Sequence, residues 1–342
     1  MSKLRLVRAW PATRALFVAA VLLVGGQGQT WAAPFSQMIV FGDSLSDPGN
    51  FYAATGNLIP PAPFYWNGRF SNGPVAPEYL ASRLGLGGAQ VSNYAVSGAY
   101  TGSDNAVLHD PLYINDPVLG PVLAAADLPG MRTQTDRYLA QHTVDASALY
   151  VVWGGPNDFA ALMRDPASTP EAFQAAVVEA VTNIATITQT LVMNGAQHVL
   201  VANMPNLGRT PGVIQAGPAA VGAAQGLSLG FNGVLDQALD GIDAFAPGRI
   251  ERFDTYSTLE GIIANAAGLG LTETELACLS TSCAIDANLW DNYLFWDWEH
   301  PTTRIHEIIA NAMYDAAVPE PGSLALAGIG LCAVLVRRRR AV

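Results

Sequence analysis

Lysine is almost absent from this sequence of 342 residues, and charged residues of either sign are few, at 13%. The one lysine is Lys3, and eight of the 17 basic residues lie in the first 14 positions or in the run 337–340. Between these ends all basic residues are arginine, and every one of the 28 acidic residues except Glu320 lies there. So acidic a body repels phosphate backbones, which argues against a nucleic-acid partner. With 50% hydrophobic residues, a disordered chain is excluded.

The first 32 residues are organised like a secretory signal peptide. A basic segment precedes an apolar run at 15–24, and small residues follow before Pro34. The run is too short to span a membrane. We predict that signal peptidase cuts after Ala32, because a proline directly after the cut is unfavourable. A buried helix is the alternative.

The segment 318–342 predicts a membrane-associated tail. It begins with Val-Pro-Glu-Pro, continues with an apolar stretch at 324–336 and ends with four arginines at 337–340. The arginines favour the cytoplasmic side, so we expect a transient association with the inner membrane. A soluble terminal helix is the alternative. This order resembles the PEP-CTERM sorting signal of Gram-negative bacteria. The resemblance implies removal by an exosortase-type peptidase and export to the periplasm, cell surface or extracellular matrix.

Cysteine usage is compatible with export. Cys278 and Cys283 are the only pair in the body, and Cys332 lies in the tail. A disulfide between the first two suits an oxidising compartment, with two isolated thiols as the alternative. A lone pair at this spacing indicates no metal site.

The body, residues 33–317, predicts one α/β domain with a parallel sheet and right-handed crossovers. Short apolar runs indicate strands at 38–41, 91–94, 149–153, 198–203 and 250–254. Helical periodicity indicates helices at 77–83, 133–142, 170–194, 219–244 and 303–317. The segments 48–74 and 100–130 interrupt this alternation as long irregular loops, which are usually functional in compact domains.

Three motifs follow the first three predicted strands in chain order, and a fourth precedes the final predicted helix. They are FGDSLSD at 41–47, NYAVSGA at 93–99, GGPND at 154–158 and DWEHPT at 297–302. Together they resemble the blocks of the GDSL hydrolases, or SGNH superfamily. The segments GRFSNG at 68–73 and NMPNLG at 203–208 resemble its secreted lipase and esterase branch. The resemblance implies a three-layer α/β/α sandwich with a flavodoxin-like parallel sheet.

The same blocks imply a catalytic site. Ser44 is the expected nucleophile and needs a base, for which His300 is the candidate, with Asp297 fixing the imidazole tautomer. The expected oxyanion donors are the N–H groups of Ser44 and Gly98 and the amide of Asn157. An unperturbed imidazole predicts activity that rises between about pH 6 and 7.

These expectations describe a secreted serine esterase or lipase that cleaves carboxylic esters through an acyl-enzyme, without a cofactor. A polysaccharide O-deacetylase is the alternative within enzymes, and a non-catalytic surface or matrix protein on the same fold is the alternative outside them. A metal held by His300 and His306 with Asp297 or Glu299 is a further alternative, although the spacing fits no zinc pattern of hydrolases.

Overall fold

The computed structural model describes residues 34–318. The predicted signal peptide lies outside the described residues, as does the predicted tail beyond Val318.

Five parallel strands form the central sheet, in the order β2-β1-β3-β4-β5. The strands are β1 (Met38–Gly42), β2 (Val91–Asn93), β3 (Leu149–Trp153), β4 (His198–Ala202) and β5 (Ile250–Phe253). This is the flavodoxin-like order, so the predicted α/β class is confirmed. The direction of winding reverses between β1 and β3, and ligands of such sheets bind at the carboxyl edge beside that reversal.

Helices precede, connect and follow the strands. They are α1 (Asn50–Ala54), α2 (Ala76–Arg83), α3 (Pro111–Ile114), α4 (Leu119–Ala125), α5 (Met131–Gln141), α6 (Asn157–Arg164), α7 (Pro170–Met193), α8 (Pro211–Gln215), α9 (Pro218–Asp243), α10 (Thr255–Ala264) and α11 (Thr303–Ala317). Five of them correspond, within two residues at either end, to the helices that periodicity predicts.

Both faces of the sheet are covered. Successive strand side chains point to opposite faces, and β1, β3 and β4 are nearly free of solvent exposure on both. On one face Phe41, Val152 and Val201 pack with α5, α7 and α9. On the other face α11 packs against β4, β5 and α2. The result is a three-layer sandwich.

The long helix α7 illustrates how local signals set these elements. Thr169 accepts a hydrogen bond from the Ala172 N–H at its start, Pro170 occupies its first turn, and Gly195 follows its end at φ 112°. By length and composition α7 could cross a membrane, but its apolar stripe is buried against the sheet and α9.

Two features go beyond the sequence prediction, and a third, the disulfide, is one of the two alternatives that the sequence left open. The segment 48–74 contains α1, and the segment 100–130 contains α3 and α4. A second sheet pairs β6 (Glu273–Ala277) with β7 (Tyr293–Phe295). Cys278 and Cys283, directly after β6, are joined by a disulfide with their Cα atoms 5.0 Å apart.

Candidate active site

The turn after β1 presents Ser44 at the reversal of the sheet. Gly42 ends the strand so close to β3 that an added Cβ would lie 2.5 Å from the Trp153 carbonyl oxygen. The side-chain amide of Gln134, on α5, binds both the N–H and the C=O of Gly42. Asp43 then accepts the Leu45 N–H at 3.0 Å. The backbone at Ser44 is therefore fixed from both sides.

A buried carboxylate joins this turn to the loop after β2. Asp47 accepts the N–H groups of Gly49, Asn50 and Phe51, and also both the N–H and the hydroxyl of Ser97, at 2.6–3.1 Å. Ser97 precedes Gly98, the predicted oxyanion donor. The first and second motifs thus form one rigid unit.

Gly98 follows β2 and Asn157 follows β3, at the same edge of the sheet as Ser44. Gly98 has φ 77°, and a Cβ there would lie 2.5 Å from the Asn105 Oδ1, so only glycine fits without strain. Asn157 opens α6, and its side-chain amide donates to the Ala99 carbonyl at 3.2 Å. An amide has two N–H donors, so one remains for a ligand.

The fourth motif forms a tight loop between β7 and α11. The Trp296 N–H donates to the His300 carbonyl at 2.8 Å, and the Thr302 N–H donates to the Leu294 carbonyl at 3.0 Å. Inside the loop, Asp297 Oδ1 accepts the backbone N–H groups of Glu299 and His300. The loop therefore preforms the relation between aspartate and histidine.

Ser44, His300 and Asp297 form one continuous hydrogen-bonded chain. His300 Nε2 lies 2.8 Å from the Ser44 Oγ, and His300 Nδ1 lies 2.8 Å and 2.9 Å from the two Asp297 carboxylate oxygens. Asp297 and His300 are each 7% exposed. Residues separated by more than 250 positions in the chain are thus brought to one edge of the sheet.

A cavity of about 460 Å³ opens beside Ser44 and His300. Its size falls in the range of small-molecule sites. Most of its wall is apolar, and side chains from several elements contribute: Leu45, Trp153, Met163, Leu207, Val213 and Trp298. Asn157, Arg164 and Glu299 supply polar groups.

Comparison with known proteins identifies the family. The model of the GDSL-like lipases and acylhydrolases matches residues 38–313. The chain belongs to this family. It is a carboxylic ester hydrolase by that membership. The model of the PEP-CTERM protein-sorting motif matches residues 317–340, which indicates export in a Gram-negative bacterium.

Curated relatives of this GDSL hydrolase span bacteria and plants. A phosphatidylcholine-sterol acyltransferase of Aeromonas hydrophila is 25% identical over 321 residues, covering 81% of this chain and 88% of the relative. A GDSL esterase/lipase of Arabidopsis thaliana is 26% identical, with coverages of 90% and 98%. The esterase EstA of Pseudomonas aeruginosa is 30% identical, with coverages of 87% and 49%. Among solved structures, an extracellular lipase from Streptomyces rimosus aligns at 16% identity and a TM-score of 0.43, covering 83% of this chain and all of that one.

Negative charge surrounds the histidine of this GDSL hydrolase. Burial alone would lower the pKa of His300, but the hydrogen-bonded Asp297 carboxylate, with Glu299 and Asp43 nearby, raises it to about 9. Burial would raise the pKa of Asp297, yet the positive charge and hydrogen bonds of His300 hold it below its ordinary value. Both shifts favour the ion pair, so we expect activity to rise at a higher pH than the 6 to 7 that an unperturbed imidazole predicts.

The aspartates beside Ser44 and Asn157 bind turn N–H groups, as expected for short acidic side chains at turns. Asp158 accepts the N–H and hydroxyl of Thr101 at 2.7–3.3 Å, and its burial raises its pKa to about 6. Burial likewise raises the pKa of Asp43 to about 7, and its Oδ2 has no hydrogen-bond partner within residues 34–318.

Two aromatic residues of the segment 48–74 contact the histidine and its aspartate. The Tyr65 hydroxyl donates to Asp297 Oδ2 at 2.9 Å, and the Phe70 ring lies 4.9 Å from the His300 ring, centroid to centroid. No sequence pattern assigns either residue to the site, although Phe70 lies in the GRFSNG segment at 68–73.

The other histidines form no hydrogen bond with Ser44, His300 or Asp297. His109 and His142 are exposed, and His198 begins β4. His306 is fully buried on α11, where its Nδ1 accepts the Ala76 N–H at 3.2 Å. No cluster of three or more metal-ligating side chains occurs in residues 34–318. Both His300 nitrogens are already engaged by Ser44 and Asp297.

Proposed function

We propose that this GDSL hydrolase cleaves carboxylic esters through Ser44, His300 and Asp297, with a covalent acyl-enzyme intermediate. The observation that carries the proposal is the 2.8 Å contact between the Ser44 Oγ and the His300 Nε2. At this distance neutral imidazole can take the hydroxyl proton directly. An alcohol with an ordinary high pKa becomes a useful nucleophile only with such a base.

The first half of the reaction acylates the serine. The Ser44 Oγ attacks the carbonyl carbon of the ester while its proton passes to His300 Nε2, and the Asp297 carboxylate stabilises the imidazolium. The tetrahedral intermediate collapses by breaking the bond to the leaving alkoxide, which takes the proton from His300. An alcohol leaves, and the acyl group stays on Ser44.

In the second half, water replaces the alcohol. His300 takes a proton from the water, which attacks the acyl carbon, and the second tetrahedral intermediate releases the acid as the proton returns to the Ser44 Oγ. Both intermediates carry a negative oxygen. The N–H groups of Ser44 and Gly98 have no protein acceptor within residues 34–318, and together with the spare N–H of Asn157 they form the proposed oxyanion hole.

Esters with an apolar acyl group are the proposed substrates. The apolar wall beside Ser44 offers burial to a hydrocarbon chain, which stabilises binding by roughly 0.8 kcal/mol per buried CH₂ group. The Aeromonas relative, a phosphatidylcholine-sterol acyltransferase, is likewise named after a lipid ester. An acetyl group on a polysaccharide would leave most of this wall uncovered. A non-catalytic protein on the same fold would not require the hydrogen bond between Ser44 and His300.

A fluorophosphonate probe and a panel of p-nitrophenyl esters test the proposal. We expect the probe to modify Ser44, the kcat/KM values to rise from acetyl to longer acyl esters, and the Ser44→Ala variant to lose turnover to near background while keeping its melting temperature. Acetylated xylan and phosphatidylcholine are run in parallel. Labelling of another residue would overturn the mechanism, whereas a preference for acetylated xylan would favour the polysaccharide deacetylase.

We further propose that the tail holds the exported domain at the inner membrane until a sorting peptidase cuts near the Pro-Glu-Pro segment. The support is the match of residues 317–340 to the sorting motif and the arginine run behind the apolar stretch. Intact mass should be compared in hosts with and without an exosortase-type peptidase. Mature protein that keeps Arg337–Arg340 in both hosts would contradict processing.

A further inference from the structure

We infer that Tyr65 is a positioning residue of this hydrolase, and that residues 65–73, here called the strap, hold the loop of Asp297 and His300 in its working geometry. The inference rests on the proposed roles of Ser44, His300 and Asp297. It goes beyond them because the strap contains none of the reacting groups.

Tyr65 completes the hydrogen bonding of the buried Asp297 carboxylate. Asp297 Oδ1 accepts the two N–H groups of its own loop, whereas Oδ2 accepts the Tyr65 hydroxyl at 2.9 Å and faces His300. Burial, and the negative charge of Asp297, raise the pKa of Tyr65. The hydroxyl therefore keeps its proton and donates a hydrogen bond to the carboxylate, whether or not His300 is protonated.

Phe70 packs against the ring of the histidine itself. Its ring lies 4.9 Å from the His300 ring at an interplanar angle of 38°, and it packs edge-on against Tyr65 at 5.5 Å. An imidazole covered in this way has little freedom to rotate away from Ser44. Tyr65 and Phe70 thus fix the carboxylate and the imidazole separately.

Polar contacts tie the rest of the strap to the same loop. The Ser71 hydroxyl donates to the Pro301 carbonyl at 2.9 Å, and the Asn72 Oδ1 accepts the Thr303 N–H at 2.8 Å. Asn72 thereby satisfies a free N–H at the start of α11. Just before the strap, the Phe64 carbonyl accepts the Trp296 indole N–H at 3.0 Å.

Two glycines of the GRFSNG motif allow this close approach. Gly68 has φ 80°, and a Cβ there would lie 2.3 Å from the Tyr52 side chain. At Gly73 a Cβ would lie 2.5 Å from the Thr303 Oγ1. Arg69 anchors the turn through two hydrogen bonds to Glu78 of α2. The motif is accounted for by its contacts with α1, α2 and the histidine loop.

The Tyr65 hydroxyl also acts on the charge of the pair. Its dipole points the positive end at Asp297 and so opposes protonation of the neighbouring imidazole. Removing the hydroxyl should therefore make His300 harder to deprotonate. The other titratable groups that face the pair stay in place in such a variant: Asp43, Tyr113, Glu299 and His306.

The test compares Tyr65→Phe with Tyr79→Phe. Tyr79 is a matched control, because its hydroxyl bonds to the Thr303 Oγ1, just after the loop that carries Asp297 and His300, but to none of Ser44, Asp297 and His300. For Tyr65→Phe we expect kcat to fall about tenfold, the effect of most of one hydrogen bond to a charged group, with KM within about twofold. The acid limb of kcat/KM should move upward by about half a pH unit.

Rates are expressed per site titrated with the fluorophosphonate, so that misfolded protein does not count. Tyr79→Phe should keep the wild-type kcat and pH profile. A Tyr65→Phe enzyme with wild-type kcat and acid limb, or one in which only KM changes, would overturn the inference. Failure of the wild type to be labelled at Ser44 would instead overturn the proposed function.

Discussion

The two halves of the active site are built in different ways. Ser44, Gly98 and Asn157 lie in the turns that follow β1, β2 and β3, and the pairing of these three strands brings the turns to one edge of the sheet. Asp297 and His300 stand on a loop outside the five-stranded sheet, held by a small sheet, a disulfide and the strap. In the first half strand pairing is supplemented by the side chains of Gln134 and Asp47. In the second half the loop's own backbone hydrogen bonds are supplemented by strap side chains from about 230 positions away.

The two halves therefore have different proposed roles in the reaction. The sheet half offers the proposed oxyanion donors, fixed N–H groups that need no adjustment as charge develops on the substrate. The loop half holds the groups that we propose to gain and lose protons, within a buried network where each hydrogen bond changes a pKa. Substitutions in the loop half should therefore alter the pH dependence as well as the rate, and those in the sheet half the rate alone.

The largest effect is expected for Asp297→Asn. The amide would favour the wrong imidazole tautomer and remove the charge that stabilises the imidazolium, so kcat should fall by about 10⁴-fold. The loss is measured from steady-state rates after the background rate of the Ser44→Ala variant has been subtracted. Asp286→Asn makes the same chemical change on an exposed turn before β7 and should keep wild-type activity. A loss below about tenfold would show that Asp297 has only a structural role.

Asn157→Ala removes one donor from the sheet half. We expect kcat to fall by about 10² to 10³-fold with little change in KM, because the donor acts on the oxyanion and not on the bound ester. The acid limb should stay in place. Asn183→Ala, which loses an amide outside the site, is the control. A shift of the limb in Asn157→Ala would break the proposed division between the halves.

A smaller effect is expected for the pH dependence, which tests the charge of the loop half separately from its geometry. Because the pKa of His300 is raised to about 9, kcat/KM should increase about tenfold per pH unit from pH 7 and level off near 9. The folded state binds this proton more tightly than the unfolded chain. The stabilisation of the folded state by this proton is complete below about pH 6.5 and is lost as the pH rises through 9. Activity should thus rise while the melting temperature falls. An acid limb of kcat/KM near pH 6.5 would show that solvent screens the negative charge of Asp297 at His300.

The same division explains how far the sequence alone predicts this site. The motifs of the sheet half are recognisable because a strand, a glycine and a serine or asparagine follow one another within a few residues. Asp297 and His300 are only three positions apart, so their pairing can also be predicted from the sequence. Tyr65 and Phe70 act on residues about 230 positions away, and no local pattern encodes that distance. Likewise, β6 is too polar and β7 too short for periodicity to detect.

The smallest effect on activity is expected for the disulfide. Cys278 and Cys283 are buried with Trp296, and Tyr65 packs against this cluster, so the bridge supports the loop half from outside. Replacing both cysteines with alanine should lower the free energy of unfolding by about 2 kcal/mol, since a loop this short loses little chain entropy. The hydrogen bonds of Tyr65, Asp297 and His300 do not pass through either sulfur, so kcat should change less than about threefold. Chemical denaturation and steady-state rates measure the two quantities on the same sample. A loss of kcat as large as that of Tyr65→Phe would mean that the bridge, and not the strap, holds the histidine loop in place.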